Sequence, residues 1–138
     1  MTFGLLFAAT LALAPADRLQ MADKMFAKGL YSDAIKEYAA LRGEKTISET
    51  DITFRIAECS RALGREKEAL PVYQKLLLKD LPKSMRAVVL YRVACAQNDA
   101  SLFRECEETD PKGRYALFAR HIFRNACKTT ALIKILYL

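Results

Sequence analysis

Two segments of the chain, 35 residues apart, share the same spacing of small and aromatic residues. GLYSDAIKEYAAL begins at Gly29, and GREKEALPVYQKL begins at Gly64. The residues that recur in register are Gly29 and Gly64, Ala34 and Ala69, Tyr38 and Tyr73, and Leu41 and Leu76. A fixed period of this length is typical of helical units that bury their apolar faces against one another. The period therefore predicts a repeat architecture.

The composition favours helices over strands. The 138 residues are 52% apolar and 28% charged, which is typical of one soluble, folded domain. The chain contains five Gly and four Pro, and strongly alternating apolar and polar runs are absent. Strands would therefore have few turns to connect them. We predict an all-α fold.

Apolar residues at helical spacing mark the individual helices. The first two units are expected to form helices from Arg18 to Lys28, from Ser32 or Asp33 to Leu41 and from Thr50 or Asp51 to Leu63, and a fourth helix that holds Ala69 to Leu77 and stops near Pro82. Gly29 and Gly64 are expected to close the helices before them, because glycine adopts the left-handed conformation without a steric penalty. Pro71 is expected to kink the fourth helix mildly, since the carbonyl that it would contact lies in the first turn.

A third unit is present in degraded form. Residues 84–97 predict a first helix, but the following turn, Asn98-Asp99, contains no glycine. Its partner, residues 100–108, is short, and residues 113–127 predict one more helix. Residues 128–138 form an apolar C-terminal tail. Solenoids normally end in a helix with a polar outer face, so this end indicates either a tail that folds back or a longer array.

The repeated residues resemble the tetratricopeptide repeat, a helix-turn-helix unit of about 34 residues. The positions that carry the resemblance are Ala22, Gly29, Ala34, Tyr38, Ala57, Gly64, Ala69, Tyr73 and Pro82. The match covers about residues 18–82 and departs from the family in its 35-residue period and its lack of Trp. The resemblance implies a right-handed α-solenoid of antiparallel helix pairs, with two clear repeats and a degraded third.

The same resemblance implies a non-catalytic module that binds a partner protein or peptide in a concave groove. Mapped residue by residue, the groove positions are Asp23, Phe26, Phe54, Glu58, Arg61 and Tyr91. Aromatic side chains with charges of both signs suit a peptide and fit a polyanion poorly. For each aromatic residue the alternative is packing between helices.

The first sixteen residues predict a signal peptide. Residues 3–14 are uncharged and mostly apolar, too few to cross a membrane, and Ala14-Pro15-Ala16 is a small-x-small cleavage site. The leading residues lack the usual Lys or Arg, so an apolar first helix is the alternative. We expect export to the periplasm or cell envelope, where the resemblance implies a role in envelope assembly, or a cytoplasmic location if the segment is not a signal. The repeat domain is then residues 17–127.

The C-terminal segment is basic. From Lys112 onward there are six basic residues and no acidic one. Because no basic cluster is interleaved with aromatics, we interpret these charges as a solvated face and do not expect a nucleic-acid partner. Peripheral contact with a membrane is not favoured. The apolar residues of this end instead suggest a second hypothesis, a structural subunit that self-associates or continues a longer array.

Catalytic and metal-binding patterns are missing. His121 is the single histidine, and Cys127 lies six residues later, on the opposite face of a helix. No phosphate-binding glycine motif is present. Cys59, Cys95, Cys106 and Cys127 have no zinc-ligand spacing, and the pairing of any of them in a disulfide stays open. We predict no enzyme activity, no metal and no cofactor.

Overall fold

The computed structural model describes residues 13–136, with side chains as far as Asn125. The described residues form seven α-helices and no strand, which confirms the all-α prediction for this part of the chain. The helices are α1 (Pro15–Ala27), α2 (Tyr31–Ala40), α3 (Glu49–Ala62), α4 (Glu66–Leu77), α5 (Lys83–Gln97), α6 (Ala100–Thr109) and α7 (Arg114–Leu136).

Each helix packs against the next one along the chain, and α5 also contacts α7. Buried side chains form three clusters, and each cluster joins one helix pair to the helix that follows. The first cluster joins α1 and α2 to α3 around Tyr38 and Ile52. The second joins α3 and α4 to α5 around Tyr73 and Val89, and the third joins α5 and α6 to α7 around Phe103.

The small residues of the repeat lie where helices approach one another. Ala22 and Ala57, on α1 and α3, are buried, and so are Ala34 and Ala69, on α2 and α4. A larger side chain at any of these positions would have to displace its neighbours, because protein interiors are close-packed.

Three turns between helices close in the same way. After α1 and α3, a glycine with φ of +78° ends the helix, and the next amide donates a hydrogen bond of 2.9 Å to the carbonyl five residues earlier. After α5, Asn98 takes the place of glycine with φ of 53°, and the amide of Asp99 donates to the carbonyl of Ala94 at 3.1 Å. Asparagine adopts this left-handed conformation more readily than most other residues. The third unit thus makes its turn without glycine.

The first three helices begin earlier than expected, and α1 begins at Pro15 and not at Arg18. α2 begins at Tyr31, directly after the turn, with Leu30 at its N-cap and no side-chain cap. α3 begins at Glu49, because the hydroxyl of Ser48 accepts the amide of Asp51. Serine is as good a cap as the residues expected in that role, and it comes earlier in the chain.

The structure bears differently on the predictions made for the two ends of the chain. The predicted signal peptide, residues 1–16, lies mostly outside the described residues, and Pro15 and Ala16 form the start of α1. At the other end α7 continues as one helix to Leu136, through most of the segment predicted as a tail. Residues 114–136 contain no Gly or Pro to stop it. No helix in the described part of the chain is long and apolar enough to span a bilayer.

Candidate functional site

An open groove of about 420 Å³ runs along the odd-numbered helices. It is lined by Asp23 and Phe26 from α1, Tyr38 from α2, Asp51, Phe54, Arg55 and Glu58 from α3, Val88 from α5, and Arg114 and Tyr115 from α7. One apolar or aromatic side chain thus comes from each of the four odd-numbered helices. Charged side chains of both signs lie between them.

Four of the six side chains predicted for a groove line this one: Asp23, Phe26, Phe54 and Glu58. The other two lie elsewhere. Arg61 lines a separate cavity of about 130 Å³, which it shares with Arg92 and Cys95 among others.

Tyr91 belongs to an aromatic cluster between α5, α6 and α7. Its ring centroid lies 5.3 Å from that of Tyr115, 5.9 Å from that of Phe103 and 6.1 Å from that of Phe118. The pKa of Tyr91 is raised to about 12. Burial is the main cause, and a hydrogen bond with Cys95 is the second. The half-buried ring therefore holds α7 against α5 and stays uncharged at neutral pH.

At the first end of the groove a carboxylate joins three helices. The hydroxyl of Tyr38 on α2 donates a hydrogen bond of 2.6 Å to Oδ1 of Asp23 on α1. The guanidinium of Arg55 on α3 forms an ion pair with the same oxygen. Arg55 also faces Asp51 one helical turn earlier, with 3.5 Å between Nε and Oδ2. Asp23 is thus positioned from two sides by groups of the protein itself.

The same arrangement recurs one unit later. The hydroxyl of Tyr73 on α4 donates a hydrogen bond to Oε1 of Glu58 on α3. Arg92 on α5 binds both oxygens of Glu58, from Nε at 3.0 Å and from Nη2 at 2.9 Å. Arg61 approaches the same carboxylate at 3.5 Å. Side-on binding of this kind is the strong geometry for an arginine and a carboxylate.

The second carboxylate is deeply placed, and its surroundings favour its charged form. Burial raises the pKa of Glu58, but the hydrogen bonds from Arg92 and Tyr73 outweigh burial, so the pKa lies below its ordinary value. Burial lowers the pKa of Arg92, and Glu58 more than compensates, so that pKa lies above its ordinary value. Burial and the bond to Glu58 raise the pKa of Tyr73. All three groups keep their usual charges at neutral pH.

We call each of these arrangements an acid–tyrosine–arginine clip. In both, the tyrosine lies fifteen residues after the carboxylate, because the acid and the tyrosine each recur after 35 residues. The arginine comes from the next odd-numbered helix, 32 residues after Asp23 and 34 residues after Glu58. Because the arginines are out of register, the repeat pattern did not reveal them. The recurrence of an acid and a tyrosine at the same spacing was the available signal.

The far end of the groove is formed by residues that the sequence did not single out. The guanidinium of Arg114 lies 5.3 Å from the ring centroid of Tyr115 and makes no ion pair among the described residues. Both residues are at the start of α7, a helix that matches no repeat. Because α1, α3 and α5 alternate with the other helices, α7 could have been expected to be the fourth helix along the groove, and this was the available signal for these two residues.

The remaining groups with reactive chemistry lie outside the groove. His121 is exposed, with Nε2 3.0 Å from Nδ2 of Asn125. Cys59, Cys95 and Cys106 are free thiols, and burial raises the pKa of Cys59 and of Cys106 to about 11. Among the described residues, no three His, Cys, Asp or Glu side chains are grouped to hold a metal ion.

The sequence matches no protein-family model and no curated protein.

Proposed function

We propose that the chain is a tetratricopeptide-like solenoid that binds a peptide segment of a partner protein in the groove and performs no catalysis. The observation that carries the proposal is the row of Phe26, Phe54, Val88 and Tyr115, one from each odd-numbered helix, along one open groove. A row of apolar side chains with polar groups between them is the arrangement by which helical repeats hold an extended or helical segment.

The repeat architecture is supported by three features that recur along the chain. Buried alanines, left-handed turns and acid–tyrosine–arginine clips appear in successive helix pairs. Each feature joins a helix pair internally or to the next helix. A solenoid is stabilised by such nearest-neighbour contacts.

The clips also favour binding. Asp23 and Glu58 line the groove with their carboxylates already held by a tyrosine and an arginine. Groups that are fixed before binding lose less conformational entropy when the partner arrives. The groove therefore presents a preformed surface, which is the usual condition of a binding site in a protein.

Export is part of the same proposal. Cleavage after Ala16 would remove two residues of α1 and leave Asp17 at its start. An acidic side chain in the first turn is favourable there, because the helix dipole places partial positive charge at that end. The remaining helix keeps the side chains that α1 contributes to the core, Leu19, Ala22, Met25 and Phe26, and the two that line the groove, Asp23 and Phe26.

The binding proposal is tested by selecting random short peptides on the full chain and on a Phe54→Ala variant. We expect peptides enriched on the wild-type chain to bind the variant weakly, because Phe54 lies at the middle of the apolar row. Phe123→Ala is the matched control, since Phe123 is partly exposed on α7 outside the groove. If no peptide is enriched, or if both variants bind equally well, the groove is not the binding site.

A second candidate function is assembly through α7. Leu117, Phe118 and Phe123 on this helix are 55%, 45% and 38% exposed. Large apolar side chains grouped on one helix favour contact with another protein surface, such as a second copy. Sedimentation velocity over a range of concentrations tests it: self-association that Leu117→Ser weakens would support assembly, and a monomer at every concentration would exclude it.

A further inference from the structure

The charges along the groove change sign from its first end to its last. At the α1 and α3 end, Asp23 and Asp51 both face the single guanidinium of Arg55. Two carboxylates that share one cation leave an excess of negative charge. Side-chain exposures of 30–40% for these groups leave them within reach of a bound segment.

Only the far end carries the opposite excess. Glu58, nearest the middle, already binds Arg92 and Arg61, which line the neighbouring cavity, so it adds no unpaired negative charge to the groove. At the far end Arg114 is exposed over Tyr115, and no ion pair with it is present among the described residues. An incoming group therefore meets uncompensated positive charge at α7.

We infer that the groove recognises a segment with polarised charge, which places basic side chains over α1 and α3 and acidic side chains over α7, with apolar side chains between them. The inference rests on the proposed function and names the chemistry of its ligand. The acidic residues lie on α1 and α3, and Arg114 lies at the start of α7, so the opposite charges belong to different helices along the groove. Each end of the groove therefore favours ligand groups of the charge opposite to its own.

This polarity discriminates between classes of ligand. A uniformly acidic chain would be repelled by Asp23 and Asp51, and a uniformly basic one by Arg114. Like charges brought together in an interface are costly, so both are selected against. The polarity also fixes the direction of the bound segment, because reversing it would bring like charges together at both ends.

The test reads the charges of peptides selected from a random library on three forms of the full chain: wild type, Arg114→Glu and Arg65→Glu. Arg65 is an exposed arginine outside the groove, so its variant has the same change in net charge. We expect wild type and Arg65→Glu to enrich peptides with acidic residues toward one end and basic residues toward the other. Arg114→Glu should lose the preference for acidic residues.

A binding measurement makes the comparison quantitative. An enriched peptide is synthesised with blocked termini, beside a copy in which Gln replaces each acidic residue. Arg114→Glu should weaken binding of the acidic peptide about fivefold, because an exposed ion pair contributes up to about 1 kcal/mol. The affinity for the Gln copy should stay unchanged. A nitroxide at the acidic end should broaden amide resonances around Arg114, and one at the basic end those around Asp23.

The outcomes separate the two proposals. If no peptide is enriched on wild type, the proposed function fails and the inference fails with it. If peptides bind but show no charge polarity, or if Arg114→Glu behaves like Arg65→Glu, only the inference is overturned. Equal broadening at both ends of the groove would also overturn it, because the bound segment would then have no fixed direction.

Discussion

The hydroxyl of Tyr73 donates a hydrogen bond to the carboxylate of Glu58, fifteen residues earlier in the chain. Tyr38 makes the equivalent bond to Asp23 one unit before. In each case the tyrosine ties an even-numbered helix to the odd-numbered helix that precedes it. The same carboxylate then binds an arginine of the following odd-numbered helix. A single side chain therefore joins three helices at the edge of the groove.

Tyr73→Phe tests the hydrogen bond within this clip. The variant keeps the ring in the core and removes one donor from a buried carboxylate, so we expect the free energy of unfolding to fall by about 1–3 kcal/mol. Tyr31→Phe is the control, because Tyr31 makes an aromatic contact with Phe26 and no hydrogen bond of its hydroxyl occurs among the described residues. Urea denaturation measures both. Equal losses would show that the hydrogen bond contributes nothing.

Glu58→Gln tests the ion pair. Only 11% of the Glu58 side chain and 17% of the Arg92 side chain are exposed, so the variant leaves a largely buried guanidinium without its carboxylate. We expect a loss of about 3 kcal/mol in the free energy of unfolding. The more exposed pair of Glu37 and Arg18, whose side chains are 26% and 36% exposed, gives the control, Glu37→Gln, with a loss below about 1 kcal/mol. Similar losses from the two variants would contradict the importance assigned to burial.

The stability of the protein should depend on the protonation of Glu58. Its pKa in the folded protein is lowered from an ordinary value of 4.5, so the contribution is complete above that value. It is lost as the pH falls through the lower, folded pKa, because protons then bind the unfolded chain more readily than the folded one. We expect the free energy of unfolding to fall less between about pH 5 and pH 3 in Glu58→Gln than in wild type. Parallel pH curves would show that Glu58 is not responsible.

Ala69→Leu tests the close approach of helices at the repeat positions. Ala69 is buried, and extra methylene groups there should cost about 1–3 kcal/mol through strain. Ala40→Leu introduces the same side chain at an exposed position of α2 and should cost less. Thermal unfolding of the two variants compares them directly. Equal melting temperatures would mean that the helices do not meet where the repeat places them.

The 35-residue period revealed most of the helix arrangement, because alanine at a crossing and glycine at a turn have steric causes visible in single residues. Four groove residues followed from the same register. Arg55 and Arg92 did not, because a long flexible side chain can reach one carboxylate from several backbone positions. Arg114 and Tyr115 were missed for a different reason. They lie beyond the last recognisable repeat, where only packing shows that α7 extends the row of odd-numbered helices.

Export through the N-terminal segment is checked by mass spectrometry of the protein expressed in a bacterium. We expect the mature chain to begin at Asp17 and to be found outside the cytoplasm, because Ala14-Pro15-Ala16 fits a cleavage site. An intact chain that begins at Met1 and stays in the cytoplasm would contradict export. It would leave the groove proposal untouched, since none of the groove residues lies before α1.

The binding of a peptide in the groove is tested most directly by an NMR titration of the isotopically labelled full chain. The ligand is the peptide most enriched on wild type. If the groove binds it, chemical-shift changes should be concentrated at Phe26, Phe54, Val88 and Tyr115, in a continuous path from α1 to α7, and should vanish in Phe54→Ala. Changes confined to Leu117 and Phe123 on the exposed side of α7, with the four groove positions unchanged, would contradict the proposal.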